Sequence, residues 1–542
     1  MQINPIQLNN KQNLISDYRQ NHPDIIQYFD YRRSADDMKQ RLKDLEHFSF
    51  KRTELAAALT KLNQNWDAPL STIENIKRLN NKESVVVIGG QQAGLLTGPM
   101  YTINKVISII QYAKQQEEHL KVPVIPVFWI AGEDHDFEEI NHIFLPEKQR
   151  MKKFTTTQYT IDKRSVSDIP LDKDKTIDWL ENILKELQET EYTKSLTSTI
   201  KRCLEKSYSY VDFFARLIFQ LFDREGLVLI DSNSKDIRQI ESNYFLKLIE
   251  KQEQISTGVY GALSDLKRSG YNVNLEAEVD NAHLFYHSSK SNERILLFKT
   301  EKDNWVGKYE EVELTTEELK EIAKNNPQQL SNNVITRPLM QELLFPTLAF
   351  IGGPGEISYW AALKPAFHSI GLKMPPVIPR LSLTYINQRS IKLMEKYSVE
   401  LDEAINNGLE HRKKAWLSAK MDPPVEETAS EIKRVINEAH KPLRELAHSI
   451  RDDLGALSEK NLNYLYRDIE FLEKRISSTL EEQYRQQLNE FEILNNLLHP
   501  QKGLQERVWN PISFINHHGT DFINELTNAS LSFGEEHFLV CI

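Results

Sequence analysis

VVVIGGQQAGLLTGPMYT, residues 85–102, is the stretch that decides the fold. Val85 to Ile88 is a β-branched run that ends in Gly89 and Gly90, and an apolar helical pattern follows from about Ile103 to Gln115. A buried strand that passes through a glycine turn into a helix is the opening unit of a parallel α/β sheet. Working outward, Val124 to Ile130, Leu227 to Ile230, Thr347 to Ile351 and Val377 to Leu383 also read as buried strands. Pro126 and Pro379 weigh against the second and fifth of these runs, because proline lacks a ladder donor. Between runs lie helical patterns, the clearest being Val211 to Glu225, where Phe214, Leu217, Ile218 and Leu221 recur at helical spacing. The expected class is α/β, with helices on both faces of a parallel sheet and ligands at the carboxyl ends of the strands.

Two stretches interrupt this alternation. From about Pro146 to Lys194 charged turns surround one amphipathic helix carrying Trp179, Ile183, Leu184 and Leu187, which reads as an insertion. Between Ala282 and Tyr309, short apolar runs separated by polar turns suggest a small antiparallel insert. From Gln388 to Leu498 nearly every residue is a helix former, with breaks expected at Met421 to Pro424 and a turn at Asp453 to Ser458. This is the pattern of an αα-hairpin. On its second arm Leu465, Ile469, Leu472, Ile476, Leu480, Tyr484, Leu488, Phe491 and Leu498 form one stripe with a mean step of about 3.7 residues, which fits either packing within the chain or a dimerisation arm. His499-Pro500 ends it.

The chain has 542 residues, 40% hydrophobic and 27% charged, so it should bury more than one core. A net charge of −11 argues against nucleic acid as a partner, since such binding needs many phosphates neutralised. The N-terminal residues lack the basic and apolar regions of a signal peptide and no apolar run approaches bilayer length, so no membrane association and a cytoplasmic location are expected. Cys203 and Cys541 are too few for a disulfide framework.

Three strand ends carry the candidate chemistry. The first loop offers Gly90, Gln91, Gln92, Thr97, Tyr101 and Lys105 as donors to an anionic ligand, without the Gly-Lys-Ser/Thr of a Walker loop or the spacing of a dinucleotide fingerprint. The second strand runs into Asp134, His135 and Asp136, candidates for a general base acting on an amine. His135, Asp136 and His142 match no standard zinc spacing, and no metal site is expected. Gly353 and Glu356 follow the fourth strand, while Arg337 and Arg380 suit carboxylate or phosphate, although an ordinary ion pair explains either arginine alone. The three loops are expected to face one ligand.

GGQQAGLLTGPMYTINK, PVIPVFWIAGEDHDFEEIN, NNVITRPLMQELLFPTLAFIGGPGEISYW and KMPPVIPRLSLT, taken together and in this order, resemble the BshC family, the cysteine-adding enzymes of bacillithiol synthesis. The resemblance covers nearly the whole chain. It implies a Rossmann-like core in three parts, 1–145, 209–256 and 328–387, with inserts at 146–208 and 257–327, a helical coiled-coil domain at 388–499 and a C-terminal segment at 500–542. It also implies cysteine and glucosaminyl-malate as substrates, a homodimer, and a site for ATP or ADP associated with the helical region. The core is faintly similar to class I synthetases and nucleotidyltransferases, but their His-x-Gly-His and lysine-rich loops are missing. A nucleotidyltransferase-like enzyme acting on another acid and amine, or a nucleotide-binding scaffold, are the alternatives.

Overall fold

Five strands hydrogen-bond in parallel: β1 (Val85–Gln91), β2 (Val124–Ile130), β3 (Val228–Asp231), β4 (Thr347–Gly352) and β5 (Val377–Pro379), in a computed structural model that describes residues 1–8, 13–147, 150–160, 162–288, 290–420 and 424–542. Their order across the sheet is β5-β4-β1-β2-β3. The chain therefore winds outward from β1 in one direction, then crosses back to β4 and winds the other way. This is the doubly wound Rossmann-like arrangement, and it leaves a crevice between β1 and β4 where the winding reverses.

Both faces of the sheet are covered, which is why its strands are continuous apolar runs rather than alternating ones. Val86, Ile88, Ile125, Val127 and Trp129 belong to one core with the N-terminal helices. On the opposite face, Phe128 stacks on Phe214 of helix α2 (Tyr210–Leu221), with ring centroids 5.9 Å apart, and Gly89 lies against Ile109 of helix α1 (Met100–Leu120). Pro126 is tolerated because the ladder from β2 to β3 begins only at Val127. Pro379 lies on the edge strand, where a missing donor does least harm. The fifth strand is shorter than its apolar run suggests: it stops at Pro379, and Leu383–Ile386 joins a separate three-stranded sheet with His537–Cys541 and Gln2–Ile6. Arg380 thus stands just beyond a strand end and not within a strand.

The antiparallel insert is a five-stranded sheet that starts at Asn281, and 252–268 before it is a helix, so part of the stretch assigned to the insert by sequence is helical. By its internal contacts the chain divides into Met1–Leu145, Lys152–Ile386 and Gln505–Ile542 as one unit, and Pro146–Met151 with Asn387–Leu504 as another.

In the helical unit, α5 (Val425–Ile450) packs along α6 (Asp452–Gln483). The turn falls at Arg451, earlier than expected, because Asp452 and Asp453 start the second helix with acidic residues that suit its N-terminus. Gly455 then allows close approach: a Cβ there would lie 2.1 Å from the His448 ring. The break at Met421 to Pro424 falls largely outside the described residues. The second arm is not one helix, since Tyr484 leaves helical geometry and α7 (Arg485–Leu498) follows. Among the described residues no helix is long and apolar enough to cross a membrane.

Candidate active site

The crevice between β1 and β4 opens into a cavity of about 340 Å³. The two glycines of β1, of which Gly90 lines the cavity, are packing residues. A Cβ on Gly90 would stand 2.6 Å from the Trp129 carbonyl oxygen, and one on Gly89 2.8 Å from that of Ile351, so both belong to β1 and let its neighbours close in. They do not form a free anion cradle, although Gly90 does line the cavity with Gln91, Gln92 and Tyr101.

Lys105 rises from the second turn of α1 and is 1% exposed. Its ammonium donates to the Gly90 carbonyl at 2.7 Å and to Gln91 Oε1 at 3.1 Å, and it pairs with the Glu356 carboxylate. Burial lowers the Lys105 pKa, and the charge of Glu356 opposes that shift. Glu356 occupies the first turn of helix α4 (Pro354–Trp360) and also accepts the Gly353 amide at 2.7 Å. One carboxylate thus ties the loop after β4 to the helix that follows β1. The Gly353 amide, spent on this cap, is not available as an oxyanion donor.

Arg337, on helix α3 (Thr336–Leu344), lines the cavity and is held from behind. Its Nε donates to Glu133 Oε1 at 2.8 Å and its Nη2 to Asp134. Glu133 is fully buried and also accepts from Arg238 and from the Asn332 amide at 3.1 Å. Burial alone would raise its pKa, but Arg238, Arg337 and Arg294 hold it down at about 2. Arg380 lines the cavity too, with both ends of its fork 2.7 Å from the Glu506 carboxylate. That ion pair is the ordinary explanation for Arg380.

The expectation that Asp134, His135 and Asp136 face the ligand is not met. They do not line the cavity: Asp134 pairs with Arg337 from behind, and His135 lies against Arg294. Arg294 Nη1 lies 3.2 Å from His135 Nδ1, and an arginine can only donate, so Nδ1 accepts and the ring proton sits on Nε2. Burial lowers the His135 pKa and Arg294 lowers it further, keeping the ring neutral with its basic nitrogen occupied. Asp136 is mostly exposed, 3.8 Å from His135 Nε2. Thr97 faces elsewhere: it lines a separate cavity of about 220 Å³ with Leu196, Leu217 and Ile512. Among the described residues no group of three or more His, Cys, Asp or Glu is placed to hold a metal ion.

Sequence reasoning missed Tyr359 and Gln341 as cavity residues, and above all Arg507. Tyr359 had a signal, since it lies on the short helix after the second glycine turn. Arg507 had none: it follows the long helical region, far in sequence from every strand of the core, on the single helical turn α8 (Gln505–Val508).

The model of the N-terminal Rossmann-like domain of the bacillithiol biosynthesis protein BshC matches residues 1–381, and that of its C-terminal coiled-coil domain matches residues 383–542. A protein of Oceanobacillus iheyensis named "Putative cysteine ligase BshC" is 44% identical over 543 residues, covering 100% of both chains. Proteins with the same name from a Geobacillus strain and from Bacillus cereus are 40% and 39% identical, covering 100% and 98% of both chains.

Proposed function

The chain belongs to the BshC family of bacillithiol biosynthesis, and from that premise we propose that it is a cysteine ligase, joining the cysteine carboxyl to the glucosamine amine of glucosaminyl-malate by an amide bond. The observation that carries this reading is the cleft at the switch point, where Glu356 is the one carboxylate among the described lining residues and guanidinium groups stand around it. In the bond-forming step the amine attacks the activated cysteine carboxyl carbon, the carbonyl oxygen takes up negative charge, and the leaving group departs as the oxyanion collapses. Glu356 accepts the proton the amine must shed, in the role the sequence had suggested for His135. Lys105 pairs with Glu356 and fixes its position. The Gln92 amide, whose NH₂ has no partner among the described residues, supplies a donor for the oxyanion. Arg337 retains Nη1 for a malate carboxylate.

A free carboxylate is a poor electrophile, and we propose ATP as the group that activates it. We associate the nucleotide with the helical unit, where Lys420 lies 4.4 Å over the ring of Trp416 and brings a cation beside an aromatic surface. We place the reaction in the cytoplasm, because a thiol substrate and the unpaired Cys203 and Cys541 suit a reducing compartment. We also propose a homodimer through the helical unit, supported by the exposure of Leu465, Leu472 and Ile476.

Purified full-length protein given glucosaminyl-malate, cysteine and candidate nucleotides should form bacillithiol, read by mass spectrometry. Absence of product with every donor, in protein that binds the acceptor, would overturn direct ligation.

A further inference from the structure

Most cations around the cleft are already committed. Arg380 is spent on Glu506, and Lys105 is enclosed by Gly90, Gln91 and Glu356. Arg507 differs from both: its side chain is exposed, lines the cavity, and makes no hydrogen bond or ion pair among the described residues, in a chain with 78 acidic against 67 basic residues. Its mooring is rigid. Gln505 exchanges two hydrogen bonds with the Tyr385 backbone, at 2.7 and 2.8 Å. Glu506, 1% exposed, accepts from Arg380, from Asn104 at 2.8 Å and from Ser382 at 2.8 Å. A turn fixed by the two residues before Arg507 thus presents its free guanidinium to the cleft. Arg337 Nη1 is open there too, and so is Nε of Arg380, whose charge Glu506 already balances.

Two open guanidinium groups on separate elements match two separate planar anions on one ligand better than they match one phosphate. Of the loop amides, that of Gly353 is taken by Glu356 and that of Gly94 by the Gln92 carbonyl, so the arginines are the charged groups left open to an anion. We propose that Arg507 determines acceptor specificity by binding the second carboxylate of a dicarboxylate acceptor, with Arg337 holding the first. The proposal rests on the cleft being the acceptor site.

Binding is measured by calorimetry on the full-length protein without cysteine or nucleotide, so that turnover plays no part. Glucosaminyl-malate is compared with the lactate analogue, which lacks one carboxylate. Arg507→Met should weaken glucosaminyl-malate by roughly 10- to 100-fold, the usual worth of hydrogen bonds to a charged group. It should leave the lactate analogue within about 3-fold of the parent, and Arg507→Lys should restore part of the loss. In turnover, the change should fall on KM for the acceptor rather than on kcat. Equal loss for both acceptors, or loss of ATP binding in place of acceptor binding, overturns the assignment. If the parent binds glucosaminyl-malate and Arg507→Met binds it as well, Arg507 alone is refuted; if the parent binds neither acceptor, the reading of the cleft falls with it.

Discussion

At the scale of residues, the pairing of Lys105 with Glu356 holds in the cleft the carboxylate proposed as the base. Glu356→Gln preserves the size of the side chain and a carbonyl oxygen for the Gly353 amide, so the loop should keep its shape. The rate should nevertheless fall on the order of 10²-fold or more, as for other general bases, with kcat reduced and acceptor binding nearly unchanged. A variant turning over at the parental rate would return the role to another group. His135→Ala, by contrast, should act through Arg294 and the carboxylates that hold Arg337, altering KM more than kcat. Glu506 gives a pH prediction. Burial pushes its pKa up, but Arg380 holds it down at about 2, below the ordinary 4.5. A depressed folded pKa stabilises the native state above the ordinary value, and that contribution is lost as pH falls through the window from 4.5 to about 2. It amounts to roughly 3 kcal/mol. Urea midpoints of the full chain should therefore drop between about pH 5 and about pH 3. Glu506→Gln should be less stable at neutral pH, because Arg380 is left buried without its counter-charge, and should show a shallower acid decline. Parallel acid limbs for the two proteins would count against this assignment.

At the scale of elements, the helical unit shows how periodicity can be read correctly and still mislead. The stripe on the second arm exists, but Tyr484 divides it. Leu465, Leu472 and Ile476 on α6 are exposed at 36%, 58% and 36%, whereas Phe491 and Leu498 on α7 are buried. Phe491 packs on Tyr397, with ring centroids 4.3 Å apart, so the end of the stripe belongs to the core of the unit. The first arm carries a pattern not singled out from sequence: Ile432, Ile436, Ala439, Leu443, Leu446 and Ile450 alternate steps of four and three. That is a heptad seam, and Leu443, Leu446 and Ile450 are more than half exposed. Exposed seams on both arms fit a second copy of the chain. Leu472→Asp with Ile476→Asp, and separately Leu443→Asp with Leu446→Asp, should each shift the sedimenting species from dimer to monomer while leaving helicity intact. An unchanged dimer in both double variants would place the interface elsewhere.

At the scale of the molecule, the chain closes its first unit with its last residues. The coiled-coil family model spans residues 383–542, yet Gln505–Ile542 packs with the Rossmann-like unit. There it supplies the counter-charge of Arg380, the central strand of the three-stranded sheet and the free guanidinium of Arg507. Removing 505–542 from the full chain should leave Arg380 buried and unpaired, which costs about 3–5 kcal/mol when one partner of a buried pair is lost. It should also strip Leu383–Ile386 of its ladder. Residues 1–386 should then be cut by protease far faster than in the parent, and equal resistance would show that the segment is not structural.

The sequence by itself determined the class of the fold, because buried parallel strands must be continuous apolar runs and glycine must stand where strands approach closely. Val85 to Ile88, Val124 to Ile130 and Thr347 to Ile351 announced themselves in this way, and so did the loops of Lys105 and Glu356. Tertiary structure alone decided which charged groups line the cleft. Asp134-His135-Asp136 looks like a catalytic cluster along the chain, but Arg294 and Arg337 reach it from distant elements and turn it into support. Arg507 looks like any surface arginine until Gln505 and Glu506 fasten its turn to the core. Local patterns record what a residue's neighbours in the chain require of it. Whether a charge is paired or free depends on partners hundreds of residues away, which only folding brings within hydrogen-bonding distance.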